Sequence, residues 1–170
     1  MDVTMSILRL IHVFAAVVWV GLAFTMVLFI APVVEEMGPA GQAFAQRISS
    51  TKRFRKLVPS AAGLTVLSGL IIYYLLFGAM PSLNSGRVLS ITVGALAGIA
   101  AMVDGIRMGR RQEAMQALVD QIGAGKPSAE QAAQLAALGE QSAKGAALSA
   151  ILMVIALAGM TLAQTFTFTF

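Results

Sequence analysis

The chain has 170 residues, of which 58% are hydrophobic and only 12% charged, with a formal net charge of +4. That charged share is about half of what soluble domains carry, and the mean hydropathy is +0.82, so a soluble globule of this size is excluded and an integral membrane protein is expected. Zero cysteines exclude disulfides, thiolate metal sites, iron–sulfur clusters and cysteine nucleophiles, and the single histidine excludes any one-chain site that needs two.

About 20 apolar residues cross the hydrocarbon core as a helix, and four segments qualify. The first runs from about Met5 to Ala31, with Arg9 and His12 as its ionisable groups. Its apolar run exceeds the roughly 7–15 residues of a signal-peptide core. No A-x-A site follows at Pro32 to Glu36, so the span is expected to be retained. The second runs from about Leu57 to Ala79 without charge, and the third from about Val88 to Asp104. The fourth covers about Ala146 to Gln164 and is also uncharged. The spans are thus 5–31, 57–79, 88–104 and 146–164, joined by 32–56 and 105–145 on one side.

Basic residues assign the sides. The first long connection holds Arg47, Lys52, Arg53, Arg55 and Lys56, and the second holds Arg107, Arg110, Arg111, Lys126 and Lys144. Arg9 and Arg87 stand at the opposite ends. Both long connections are therefore expected in the cytoplasm and both termini outside. The basic character follows from this orientation and from anionic lipid headgroups. It gives no reason to expect nucleic acid as a partner.

The connections read as helical. Pro39 suits a first helical turn, and Pro59 is expected to kink the start of span two. Met108, Met115, Leu118, Val119 and Ile122 recur at helical spacing beyond span three. The run Gly123-Ala124-Gly125-Lys126-Pro127 breaks that pattern, and Ser128 with Gln131 forms a capping box for the next helix. Helices three and four are therefore expected to extend into a cytoplasmic helical hairpin, rising ~25 Å from about 18 residues at 1.5 Å each.

Close packing by small residues must hold such spans together, because lipid supplies no hydrophobic drive between them. Gly94 and Gly98 form one GxxxG and Gly105 and Gly109 another. Packing within the chain is expected, and homodimerisation is the alternative. The fold class is all-α, an antiparallel four-helix membrane bundle. Asp104 is expected to pair with Arg107 one turn on, at headgroup level. The terminal Thr165-Phe166-Thr167-Phe168-Thr169-Phe170 alternates with period two and reads as an extended tail.

One constellation suggests chemistry. Met5, His12, Trp19 and Met26 recur every seven residues and share a face. An ionisable residue inside a span marks a functional hypothesis. Met80 and Met160 are expected in the same outer layer, and a His–Met set suits Cu(I) or the axial positions of haem b. The alternative is a structural His12 hydrogen-bonded to a neighbouring helix, with the methionines as core filler. Bis-His haem would need a second copy of the chain. No Ser/His/Asp set or phosphate loop can be assembled. Glu35 and Glu36 are adjacent, so their side chains diverge.

The segment Leu10-Ile11-His12-Val13-Phe14-Ala15-Ala16-Val17-Val18-Trp19-Val20-Gly21 resembles the "LH…A..W.G" opening of the CopD-like superfamily of bacterial membrane proteins. Ala31-Pro32, Lys52-Arg53-Phe54-Arg55, and Gly63-Leu64 through Ser68-Gly69 also resemble that group's four-span members. The resemblance covers the first two spans. It implies the bacterial inner membrane and, for copper-handling members, a part for His12 in metal handling. The haem-biosynthetic oxidase of the HemJ type also opens with a His…Trp helix. Here the chain departs after Gly21, with Ala31-Pro32-Val33-Val34-Glu35-Glu36 in place of a basic and aromatic run, so that activity is not expected. The function expected is that of a non-enzymatic accessory or scaffold subunit, with a membrane-protein partner or a second copy. A copper or haem binder and a small-solute transporter are the alternatives.

Overall fold

The structure, a computed structural model, describes residues 3–79, 82–123 and 125–165. The described chain is helical throughout, without a strand. Helix α1 (Val3–Thr25) continues through a π turn (Met26–Ile30) into α2 (Ala31–Glu36). Helix α3 (Pro39–Ser49) leads to α4 (Lys52–Phe77), and two long helices follow, α5 (Gly86–Ile122) and α6 (Ala129–Leu162). Four helical stretches are long and apolar enough to cross a membrane: Val3–Glu36, α4, α5 and α6.

Local chemistry accounts for the boundaries. The Ala31 N–H reaches back to the Met26 carbonyl, and Pro32, next in line, has no N–H to give. The backbone widens into a π turn where that donor is missing. Pro39 opens α3 as expected. Pro59 lies inside α4, which continues through it. Helix α5 ends at Gly123, whose φ of +57° only glycine adopts readily. The capping box at the start of α6 is present. The Ser128 Oγ accepts from the Gln131 N–H at 3.1 Å, and the Gln131 Oε1 accepts from the Ser128 N–H at 2.9 Å.

The bundle consists of two antiparallel pairs, α1 with α4 and α5 with α6, joined mainly where α4 meets α5. Along α5 from Ser90 through Asp104 to Arg111, the partners on α6 run the other way, from Gly159 through Ser149 to Gln141. The core lies where all four helices meet. Trp19 of α1 is buried there against Ala61 and Ala62 of α4, Ala101 of α5 and Met153 of α6. Alanine at three of these positions lets the backbones close around one indole.

Of the glycines singled out from sequence, Gly94 packs and the second pair does not. A Cβ at Gly159 would stand 2.7 Å from the Ser90 carbonyl oxygen and 2.9 Å from the Gly94 Cα, so Gly94 and Gly159 form the close crossing of α5 and α6. A Cβ at Gly98 would only graze the Ala156 side chain, and Gly105 and Gly109 face open space. The second GxxxG therefore adds no packing within the chain. It continues the ridge by spacing, but there α6 packs against Asp104, Met108 and Arg111 instead.

Exposed large hydrophobic residues form a band. They run from Val3 to Val33 on the first stretch, Leu57 to Leu76 on α4, Leu83 to Ile106 across the start of α5, and Leu148 to Leu162 on α6, with Met37 and Phe44 exposed outside the band, between α2 and α4. Between Ile106 and Leu148 no large hydrophobic residue among the described ones is exposed. The ends of α5 and the start of α6 thus form a polar-surfaced hairpin beyond the band. The 17 residues from Ile106 to Ile122 reach ~25 Å.

Substitutions separate the contacts. Trp19→Ala should lower unfolding free energy in detergent by about 3–5 kcal/mol, through the cavity left at the helix junction. Gly159→Ala should lower the melting temperature, because backbone atoms block the new methyl, whereas Gly105→Ala should leave it unchanged. Thermal unfolding of the three variants followed by circular dichroism checks both statements.

Candidate functional site

His12 stands nine residues, ~14 Å, inside the start of α1, on the face turned to α4. Its Nδ1 lies 2.8 Å from the Thr65 carbonyl oxygen and 3.4 Å from the Ser68 Oγ. A carbonyl only accepts, so Nδ1 carries the proton, and in the neutral ring Nε2 presents a lone pair. The ring lies over Gly69, where a Cβ would meet Cε1 at 2.8 Å. Glycine at 69 is therefore what makes room for the imidazole. The polar shelf beneath it is self-consistent: the Thr65 hydroxyl donates to the Ala61 carbonyl at 2.8 Å, and the Ser68 hydroxyl donates to the Leu64 carbonyl.

Thr65 is eight residues, ~12 Å, from Leu57 at one edge of the apolar band on α4. His12 is thus level with the middle of the exposed apolar stretch of α4. The other expected donors are dispersed. Met5 is two turns away along α1. Met160 belongs to the α5–α6 pair, with its backbone nitrogen beside Gly94. Met80 and residues 166–170 lie outside the described residues. Trp19 fills the central core.

These positions test the groups that the family resemblance implies. One imidazole with Nδ1–H anchored on a carbonyl is oriented as ligating histidines are. It fits a single coordination position. Among the described residues, Met5 lies two turns along α1 from it and Met160 lies at the α5–α6 crossing.

Three further polar contacts cross between helices. The Tyr73 hydroxyl and Thr92 Oγ1 are 2.6 Å apart, linking α4 to α5, and Ser90 Oγ donates to the Gly159 carbonyl at 2.7 Å. Asp104 is buried and accepts from Ser149 Oγ at 2.8 Å. This corrects the expected Asp104–Arg107 pair: Asp104 turns toward α6, while Arg107 is exposed. Gly145 makes that turn feasible, since a Cβ there would stand 3.3 Å from Asp104 Oδ2 and 3.0 Å from Arg111 Nη1. Sequence spacing within α5 could not show a partner on another helix.

Beyond the band, α3 is braced against α5. Gln46 Nε2 donates to Gln116 Oε1 at 3.0 Å, and Gln112 Nε2 donates to Ser49 Oγ at 3.0 Å. Arg55 of α4 pairs with Glu113 of α5 at 3.3 Å. The sequence signal for this brace is Gln46, Gln112 and Gln116, whose spacing within each segment does not show a partner on another helix.

Two measurements address the histidine shelf. Nitrogen-15 NMR of the neutral ring should show Nδ1 protonated and Nε2 bare. Gly69→Ala should displace the ring and shift both resonances, while Gly63→Ala, open around its Cα, should not. No protein-family model, no curated protein and no solved structure matches this chain.

Proposed function

We propose that this chain is a non-enzymatic multi-pass protein of the bacterial inner membrane, serving as an accessory helical scaffold subunit of a larger membrane complex. The observation that carries this reading is how the polar side chains within the apolar band are engaged. His12 bonds Thr65, Tyr73 bonds Thr92, Ser90 bonds Gly159 and Ser149 bonds Asp104, each from one helix to another. Such bonds are worth about 0.6 kcal/mol on average in a bilayer, and here they join α1 to α4, α4 to α5 and α5 to α6. The groups that would do chemistry in a pump or an enzyme act as fasteners between helices. The polar hairpin beyond the band, with α3 braced on it, offers a partner a rigid surface.

Both long connections are on the cytoplasmic side in this reading and both termini outside. On α4 and α5 the exposed large hydrophobic residues end at Leu57 and Ile106, next to the basic clusters at Lys52–Lys56 and Arg107–Arg111, as the positive-inside pattern requires; Met37 and Phe44 are exposed apart from them, on the first connection.

A second reading has one specific observation behind it: the bare Nε2 of an oriented His12. In that reading His12 donates Nε2 to copper or to haem b, with the remaining ligand from a second copy of the chain. When bound, the metal would supply redox chemistry, and His12 with Thr65 would hold one ligand in place.

The chain has no cysteine, so a single Ser50→Cys substitution gives a unique label. It should react with an impermeant maleimide only from the cytoplasmic face. Gentle solubilisation of native membranes should recover the chain in a complex larger than its own mass, and recovery as a lone monomer would remove the scaffold reading. Metal content and visible spectra should be the same for the wild type and His12→Ala. A metal or haem signal lost in that variant would transfer the conclusion to the second reading.

A further inference from the structure

The geometry points to a binding site for the phosphodiester headgroup of an anionic phospholipid, at the edge between the start of α4 and the middle of α5. Lys56 and Arg110 are its principal donors. The inference rests on the membrane orientation proposed above and assigns a ligand to one face of it.

The Arg55–Glu113 pair at 3.3 Å sets the two helices at the same level there. Lys56 follows Arg55. Arg110 stands three residues from Glu113 on the same face of α5, ~4.5 Å nearer the band. Both are exposed, and the ion pairs among the described residues are Arg55–Glu113 and Lys144–Glu140. Lys56 and Arg110 therefore carry charge that no carboxylate offsets, as do Lys52, Arg53 and Arg107 around them. The acids nearby are engaged elsewhere. Glu113 holds Arg55, Asp104 is buried against Ser149, and Asp120, farther out, accepts from Gln116.

The level matches a headgroup. Lys56 adjoins Leu57, and Arg110 is four residues, ~6 Å, past Ile106, the two residues at which the exposed apolar band stops. The polar layer of one leaflet is about 5–8 Å thick, so both cations reach into it.

Apolar residues continue the site in the direction of an acyl chain. Helical spacing places Leu64 and Leu67 on the stripe of Lys56, and Ile106 and Val103 on the stripe of Arg110. They are 52%, 62%, 51% and 39% exposed, respectively. A cation above an apolar stripe on each of the two helices complements a molecule with a phosphate at one end and hydrocarbon at the other. A free phosphate would use only half of that surface.

The test uses the full chain in nanodiscs of phosphatidylcholine with a minority of phosphatidylglycerol, reading the lipid retained after detergent exchange by native mass spectrometry. Phosphatidylglycerol should be enriched over its bulk share. Each cation removed should cost about fivefold, so Lys56→Gln/Arg110→Gln should lose about 30-fold of the preference. The charge-keeping Lys56→Arg/Arg110→Lys should retain it, and so should Arg9→Gln/Arg87→Gln at the opposite end. Circular dichroism confirms that each variant is folded. Equal enrichment in the wild type and Lys56→Gln/Arg110→Gln overturns the site, as does equal loss in both Gln pairs. Displacement of the lipid by millimolar inorganic phosphate also overturns it, in favour of a bare anion site. Labelling of Ser50→Cys separates the two levels of failure: reaction from outside removes the orientation itself, and reaction from inside without enrichment removes only the lipid site.

Discussion

The rest of the structure depends on how one indole fits among small residues. Trp19 is the largest side chain in the buried core, and its neighbours Ala61, Ala62 and Ala101 give it room on α4 and α5. In a lipid environment the side chains gain nothing by leaving solvent, so association depends on how closely the surfaces match. A single bulky group in a ring of alanines matches in few registers. Once Trp19 is seated, His12, two turns earlier on the same face, comes to rest over Gly69 and beside the Thr65 carbonyl.

The second helix pair uses backbone approach rather than a wedge. Gly94 and Gly159 cross closely, and Ser90 bonds the Gly159 carbonyl at the same point. Farther along, Asp104 and Ser149 repeat the arrangement with side chains, next to Gly145. One continuous contact thus runs from the apolar band into the hairpin. It keeps α5 and α6 together where no membrane would surround them. The brace from α3 acts on the same stretch of α5, through Gln112, Glu113 and Gln116.

Charge is distributed with the same economy. Most cations are gathered where the band ends, and only two ion pairs among the described residues consume any of them. Exposed pairs of this kind stabilise a fold by at most about 1 kcal/mol. The surplus of cations therefore has little to do with stability.

The sequence by itself determined the four long apolar helices, the helical character of both connections, the capping box at Ser128 and the polar hairpin. Each is a local property, set by hydropathy, by glycine and proline, or by hydrogen bonds three residues apart. The π turn was also encoded locally, by Pro32, but its missing N–H reads as an ordinary helix interruption until the Ala31–Met26 bond is seen. Only the tertiary structure decided what each polar or small residue touches. His12 could have met a sulfur or a carbonyl, and Asp104 had an arginine at a suitable spacing on its own helix. Gly105 and Gly109 matched the packing motif as well as Gly94 did. Which face of α5 turns to α6 is fixed by the fit of two whole surfaces, and no spacing within one helix carries that information.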